Sequence, residues 1–70
     1  MVVEKHLKIT GTSEVSWKDA IAQTISETSK TLDYITSITI LEQRAKVSGK
    51  KITEYLVDLD LAFVVDRDRD

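Results

Sequence analysis

From Tyr55 to Val65 the chain alternates without a break. Tyr55, Val57, Leu59, Leu61, Phe63 and Val65 fall on one side, and Glu54, Leu56, Asp58, Asp60, Ala62 and Val64 on the other. A side-chain period of two is the signature of an extended strand, and this is the strongest strand in the chain. One face is continuously apolar and asks for a cover. The other mixes acids with Leu56, Ala62 and Val64, so it is expected to meet other subunits rather than a second layer of the same chain.

The remaining elements follow from that strand. Val3 to Thr10 alternates as a half-buried strand, with Val3, Lys5, Leu7 and Ile9 on one face, and Gly11 is read as its end. Ser16 then stands as a helix N-cap with Asp19 three residues later, a short-armed capping box, and Val15 is placed to staple onto Ala20. Trp17, Ala20, Ile21, Thr24, Ile25, Thr28, Leu32 and Ile35 form a stripe at helical spacing that weakens around Thr28 and Ser29. A helix of about 18 residues, roughly 27 Å long, is expected to carry the chain back along the sheet. Ser37 to Val47 is β-rich, but its alternation slips between Ile40 and Leu41, which predicts a bulge or a strand buried on both faces. Ser48 to Lys51 reads as a hairpin turn with Gly49 free to take positive φ. The fold class expected is α+β, a β-α-β-β subunit. Its three strands form an antiparallel sheet in which the last strand can sit between the other two, a different order being the alternative, and one helix packs on one face.

A chain of 70 residues without cysteine has neither a large core nor disulfides to stabilise it, so self-association is the expected remedy. The net charge of -2 and pI near 5.3 give no electrostatic footprint for nucleic acid or an anionic membrane. No window approaches a membrane span and the N-terminus lacks a signal-peptide core, from which a cytoplasmic location is expected. Residues 1–65 are taken as the domain and 66–70, the charged run that closes the chain, as a solvated tail.

The segments GTSEVSWKDA (Gly11 to Ala20), SKTLDYI (Ser29 to Ile35), EQRA (Glu42 to Ala45) and EYLVDLDLAF (Glu54 to Phe63) resemble the dodecin family over nearly the whole chain. The resemblance implies small subunits assembled into a hollow homododecamer of cubic symmetry. Many members bind flavins (riboflavin, FMN or FAD), stacked in pairs at a two-fold axis, for storage or quenching rather than catalysis. In those members a tryptophan early on the second strand stacks on the flavin and a glutamine on the third bonds to it. The matching positions here are Ser37 and Leu56, which have neither an aromatic face nor an amide. Loss of stacking and of the hydrogen bond, each about 0.5 to 1.5 kcal/mol, is expected to weaken flavin binding severely.

Trp17 lies on the helix stripe, away from the ligand strand, and is read as a core residue. His6, the sole histidine, has no recognisable catalytic partners, and no enzyme is expected. Gln43, Arg44 and Lys46, with Lys50 and Lys51 in the turn, are candidate contacts for a phosphate-bearing ligand or for ion pairs between subunits. Coenzyme A is a second ligand that the resemblance implies for them. Asp58 and Asp60 project from one face with Glu54, and around a symmetry axis such a set would suit Ca2+ or Mg2+. An ion-binding shell, or a purely structural one, is the alternative to a flavin protein.

Overall fold

The computed structural model describes residues 2–66. In order they form β1 (Val2–Ser13), α1 (Trp17–Thr28), β2 (Ile35–Ser48) and β3 (Lys51–Asp66). The sheet order is β1-β3-β2, and both pairings are antiparallel. The strand with the cleanest alternation is therefore the central one. Among the described residues it carries five of the six buried hydrophobic ones, Leu56, Val57, Leu59, Leu61 and Ala62, with Ala20 of the helix as the sixth.

The helix lies on the face of Val57 and Leu59, which with Ala20 form the core against Ile9, Trp17 and Ile21. Its inner line is Ala20, Thr24 and Thr28, all buried and four residues apart. These small side chains let the helix sit very close to β1. A Cβ on Gly11 would collide with Thr24 Oγ1 and stand 3.1 Å from the Ala20 carbonyl oxygen. Gly11 is thus not the end of a strand, as the sequence predicts, but an interior strand position left bare so that the helix can dock.

The N-terminus of the helix is built as half of a capping box. Ser16 Oγ accepts from the Asp19 N–H at 3.0 Å. The Asp19 carboxylate does not reach back to Ser16; it accepts from the Ser13 hydroxyl and the Gln23 amide, each at 2.6 Å. The Ser16 N–H turns to Ser13 Oγ instead, at 3.4 Å. Asp has a shorter arm than Glu, and a serine at the end of β1 fills the gap. Val15 is 72% exposed and makes no staple.

The helix is also shorter than its stripe predicts, with 12 residues. Past Thr28 the chain tightens into turns, in which the Lys30 N–H meets the Glu27 carbonyl and the Thr31 and Leu32 N–H groups share that of Thr28. Thr28 and Ser29 are weak helix formers, and Ser29 already serves as the cap. Leu32 and Ile35 therefore fall outside the helix, Ile35 opening β2. At 1.5 Å per residue the helix spans about 18 Å, whereas the 16 residues of β3 extend about 53 Å.

The result is a thin slab, 55 × 20 × 12 Å, with a radius of gyration of 14.8 Å. A compact chain of this length would have about 11 Å. The expected slip on β2 is present as a register shift between Ile40 and Glu42, and further shifts occur between Ile35 and Ser37 and between Lys46 and Val47. Gly49 has φ 64° in a turn closed by the Ser48–Lys51 pair, a conformation that suits glycine at the first central position of a hairpin. β3 runs through Asp66, so the proposed tail boundary falls at the end of a strand, and 67–70 lie outside the described residues.

Candidate functional site

The sheet face away from the helix gathers the even-numbered residues of β3 with their partners. Leu56 lies between Thr12 and Arg44, Asp58 between Thr10 and Glu42, Asp60 between Lys8 and Thr39, and Ala62 between His6 and Ser37. Alternation alone predicts which β3 residues share this face. The register adds which side chains meet.

What meets is a set of ion pairs. Arg44 grips Asp58 through two nitrogens, Nε donating at 3.0 Å to one carboxylate oxygen and a terminal nitrogen at 2.9 Å to the other. The Thr10 hydroxyl donates to Asp58 at 2.7 Å from the far side. The Arg44 bonds first, then that of Thr10, hold the Asp58 carboxyl below the usual carboxylate range, and Asp58 in turn raises the Arg44 guanidinium. Further along, His6 Nδ1 is 2.8 Å from Asp60 and Nε2 is 3.2 Å from Glu4. Both carboxylates favour the imidazolium, Asp60 more strongly, and push the His6 pKa up. The Asp60 Oδ1 atom is buried without a partner. Lys46 and Glu54 pair at 3.3 Å near the hairpin.

The residues singled out from sequence divide accordingly. Arg44, Leu56, Asp58 and Asp60 are on this face, the first three adjacent. Ser37 shares the face but sits opposite Ala62, six positions along β3 from Leu56, a separation of about 20 Å. Gln43 pairs with Val57 and so belongs to the helix side, away from Arg44. Among the described residues, no group of three or more His, Cys, Asp or Glu side chains is arranged to hold a metal ion. Asp58 is already paired with Arg44, and Asp60 with the His6 ring. Neither Ser37, exposed and without an aromatic face, nor Leu56, buried and without an amide, fits the flavin recognition that the resemblance implies for these positions.

Trp17 packs on the covered face. Its ring meets that of Tyr55 edge-on, with centroids 4.9 Å apart and planes at 77°. Its Nε1–H donates to the Arg44 backbone carbonyl at 2.8 Å. The tryptophan thus ties the helix to β2, at the residue whose side chain holds Asp58 on the other face.

Two features were not foreseen. The large apolar side chains left uncovered are not concentrated on the face of Leu56 and Ala62, where the sequence reading places subunit contact. Ile40 (48% exposed), Leu41 (52%), Val47 and Ile52 lie on β2 and its hairpin, and Val2, Leu7, Val15 and Tyr34 are spread over β1 and the loops. Ile40 pairs with Leu59 and so looks to the helix side, but α1 lies over β1 and β3 and leaves β2 bare. The second feature is a groove of about 690 Å³ beyond the end of the helix, lined by Leu32, Tyr34, Phe63 and Val65 among others. A helix ending at Thr28 opens it, and only the weakening stripe hints at that.

No helix among the described residues is long and apolar enough to cross a membrane. Residues 3–66 match the protein family described as Dodecin. A tryptophan-to-phenylalanine mutant of the T. thermophilus dodecin has a similar structure, with a TM-score of 0.89 and 27% identity over 96% of this chain and 100% of that one. Dodecins of Streptomyces davaonensis (24% identity, TM-score 0.87, 94% and 97% covered) and Streptomyces coelicolor (18%, 0.89, 94% of each) share the fold. No curated protein sequence gives a significant match.

Proposed function

This chain belongs to the dodecin family, and from that premise we propose that it is a non-catalytic, homododecameric binding or storage protein for a flavin-type small molecule. In this reading the site has lost its usual recognition pair at Ser37 and Leu56. One observation carries it. These two positions share a face yet stand about 20 Å apart in one chain, so a site that uses both must draw them from different subunits. That agrees with the two-fold site the resemblance implies.

The thin slab and the bare apolar residues of β2 support assembly, because a single chain leaves the helix side of that strand uncovered. Arg44 remains the residue for a phosphate-bearing ligand such as FMN or coenzyme A, but a phosphate must compete with the two-pronged Asp58 pair. Ca2+ or Mg2+ at Asp58 and Asp60 must likewise draw these acids away from Arg44 and His6.

The test is a fluorescence-quenching titration of FMN against the wild type and the double variant Ser37→Trp with Leu56→Gln. Restoring the stacking face and the amide is expected to tighten binding at least tenfold, since about 1.4 kcal/mol suffices for that factor. Equal affinities would show that residues 37 and 56 do not form the flavin site, and no binding to either protein would favour a structural shell.

A further inference from the structure

His6 is held between two carboxylates, one on each ring nitrogen. Nδ1 stands 2.8 Å from Asp60 Oδ2, and Nε2 stands 3.2 Å from Glu4 Oε2. An ionised carboxylate only accepts hydrogen bonds, and a neutral imidazole carries a single N–H. Both contacts together therefore require the doubly protonated ring.

The two carboxylates are not equivalent. Asp60 belongs to β3, its side chain is 20% exposed, and its Oδ1 atom is buried without a partner. Glu4 belongs to β1, as His6 does, and its side chain is 56% exposed. When the ring loses a proton, the remaining N–H is needed most on Nδ1, against the less exposed Asp60, and Glu4 is left facing a lone pair. The bond between the strands then loses its charge assistance, and the two carboxylates lose the cation between them. Among the described residues, the other charged groups on this side are Lys8, opposite Asp60 in register, and the Asp58–Arg44 pair further along, with Glu42 opposite Asp58. Asp66 holds the position opposite Val2. From β2 the uncharged Ser37 and Thr39 stand opposite Ala62 and Asp60, and α1 lies on the other face.

The helix meets β1 at Ile9 and Gly11, whereas Val2 and Leu7 stay 65% and 42% exposed. The N-terminal half of β1 is thus an edge with little apolar cover, fastened by its pairing to β3 and by the His6–Asp60 bond. Segments of this kind open locally at low cost.

We propose that Glu4, His6 and Asp60 form a proton-operated clasp, which fastens the N-terminal half of β1 to the central strand and lets that half loosen when His6 is deprotonated, while the half under the helix stays closed. The His6 pKa is raised by the Asp60 bond first and that of Glu4 second. The clasp is therefore complete below the ordinary 6.5 and weakens as pH rises through the raised value.

Two mass-spectrometric readouts on the intact protein test it: exchange at the His6 ring C2–H, which reports the pKa, and backbone amide exchange of residues 3–7 relative to 9–13, corrected at each pH for intrinsic rates. Between about pH 6 and about pH 8.5 this ratio is expected to rise about threefold in the wild type. It should stay constant in His6→Gln, a change at a half-exposed side chain for which residues 9–13 serve as the folding control. Glu4→Gln should show a smaller rise, because its amide can either accept from or donate to Nε2. A constant ratio in the wild type, as when Lys8 takes the place of His6 at Asp60, overturns the clasp. So does an equal rise in His6→Gln, or a His6 pKa no higher than the ordinary 6.5.

Discussion

β1 and β2 flank the same central strand, yet they are built differently. β1 pairs with β3 in an unbroken register from Val2–Asp66 to Ser13–Tyr55, while β2 shifts register three times. β1 lies under the helix and gives up a side chain at Gly11 to let it approach. β2 receives no helix, its closest tie being the Trp17 bond to the Arg44 carbonyl, and keeps Ile40 and Leu41 in the open. Bulges re-aim side chains and interrupt pairing, which costs regularity but suits a strand that presents residues outward. The contrast separates a strand held under the helix from one left open on its helix side, the side that the proposed assembly would cover.

The most disruptive way to probe the β1 side is Gly11→Ala. A Cβ there runs into Thr24 and the Ala20 carbonyl, and lifting the helix should cost about 3 kcal/mol in chemical denaturation. Gly49→Ala has only its φ of 64° against it, with nothing within 4 Å, and should cost about 1 kcal/mol. A more telling comparison sets Ile9→Ala against Ile40→Ala. Ile9 packs on the core and should lose about 2 kcal/mol of subunit stability. Ile40→Ala should change it by less than about 0.5 kcal/mol while weakening the oligomer, as read by sedimentation against concentration. Equal effects in both assays would erase the distinction between the strands.

Trp17→Phe keeps a ring against Tyr55 but removes the Nε1–H bond to β2. A loss of about 1 kcal/mol is expected by denaturation, together with a change in the environment of Arg44 seen by NMR. The smallest effect concerns pH. The His6 pKa is raised above its ordinary 6.5 by Asp60 and then Glu4, so its contribution is complete below pH 6.5 and fades as pH rises through the raised value. His6→Gln should flatten that part of the stability profile. The Asp58 contribution runs the other way: it is present above the ordinary 3.8 and is lost as pH falls through the lowered value.

Much of this architecture is legible in the sequence because period and turn chemistry are local signals. The alternation of β3, the slip at Leu41, the Ser16 cap and the Gly49 turn each show in a few neighbouring residues. The end of the helix does not, since Leu32 and Ile35 prolong the apolar spacing while Thr28 and Ser29 merely weaken the helix. The role of Gly11 is hidden for another reason: a glycine at a close approach looks like one at a strand end until the facing helix is known. The ion pairs fall between these cases. Alternation puts Asp58 and Asp60 on one face, but which cation each meets depends on the register of β2 and β1. Tyr34 takes a left-handed conformation, φ 60°, where its carbonyl accepts from the Val64 N–H, and nothing in its sequence neighbourhood announces it.

We have proposed that β2 and the uncovered face serve an assembly that holds a small ligand. Native mass spectrometry of the intact protein, before and after adding flavin, tests it most directly. The expected result is a dodecamer that gains flavin mass. A stable monomer or dimer would contradict the assembly, and a dodecamer that gains nothing would contradict the ligand.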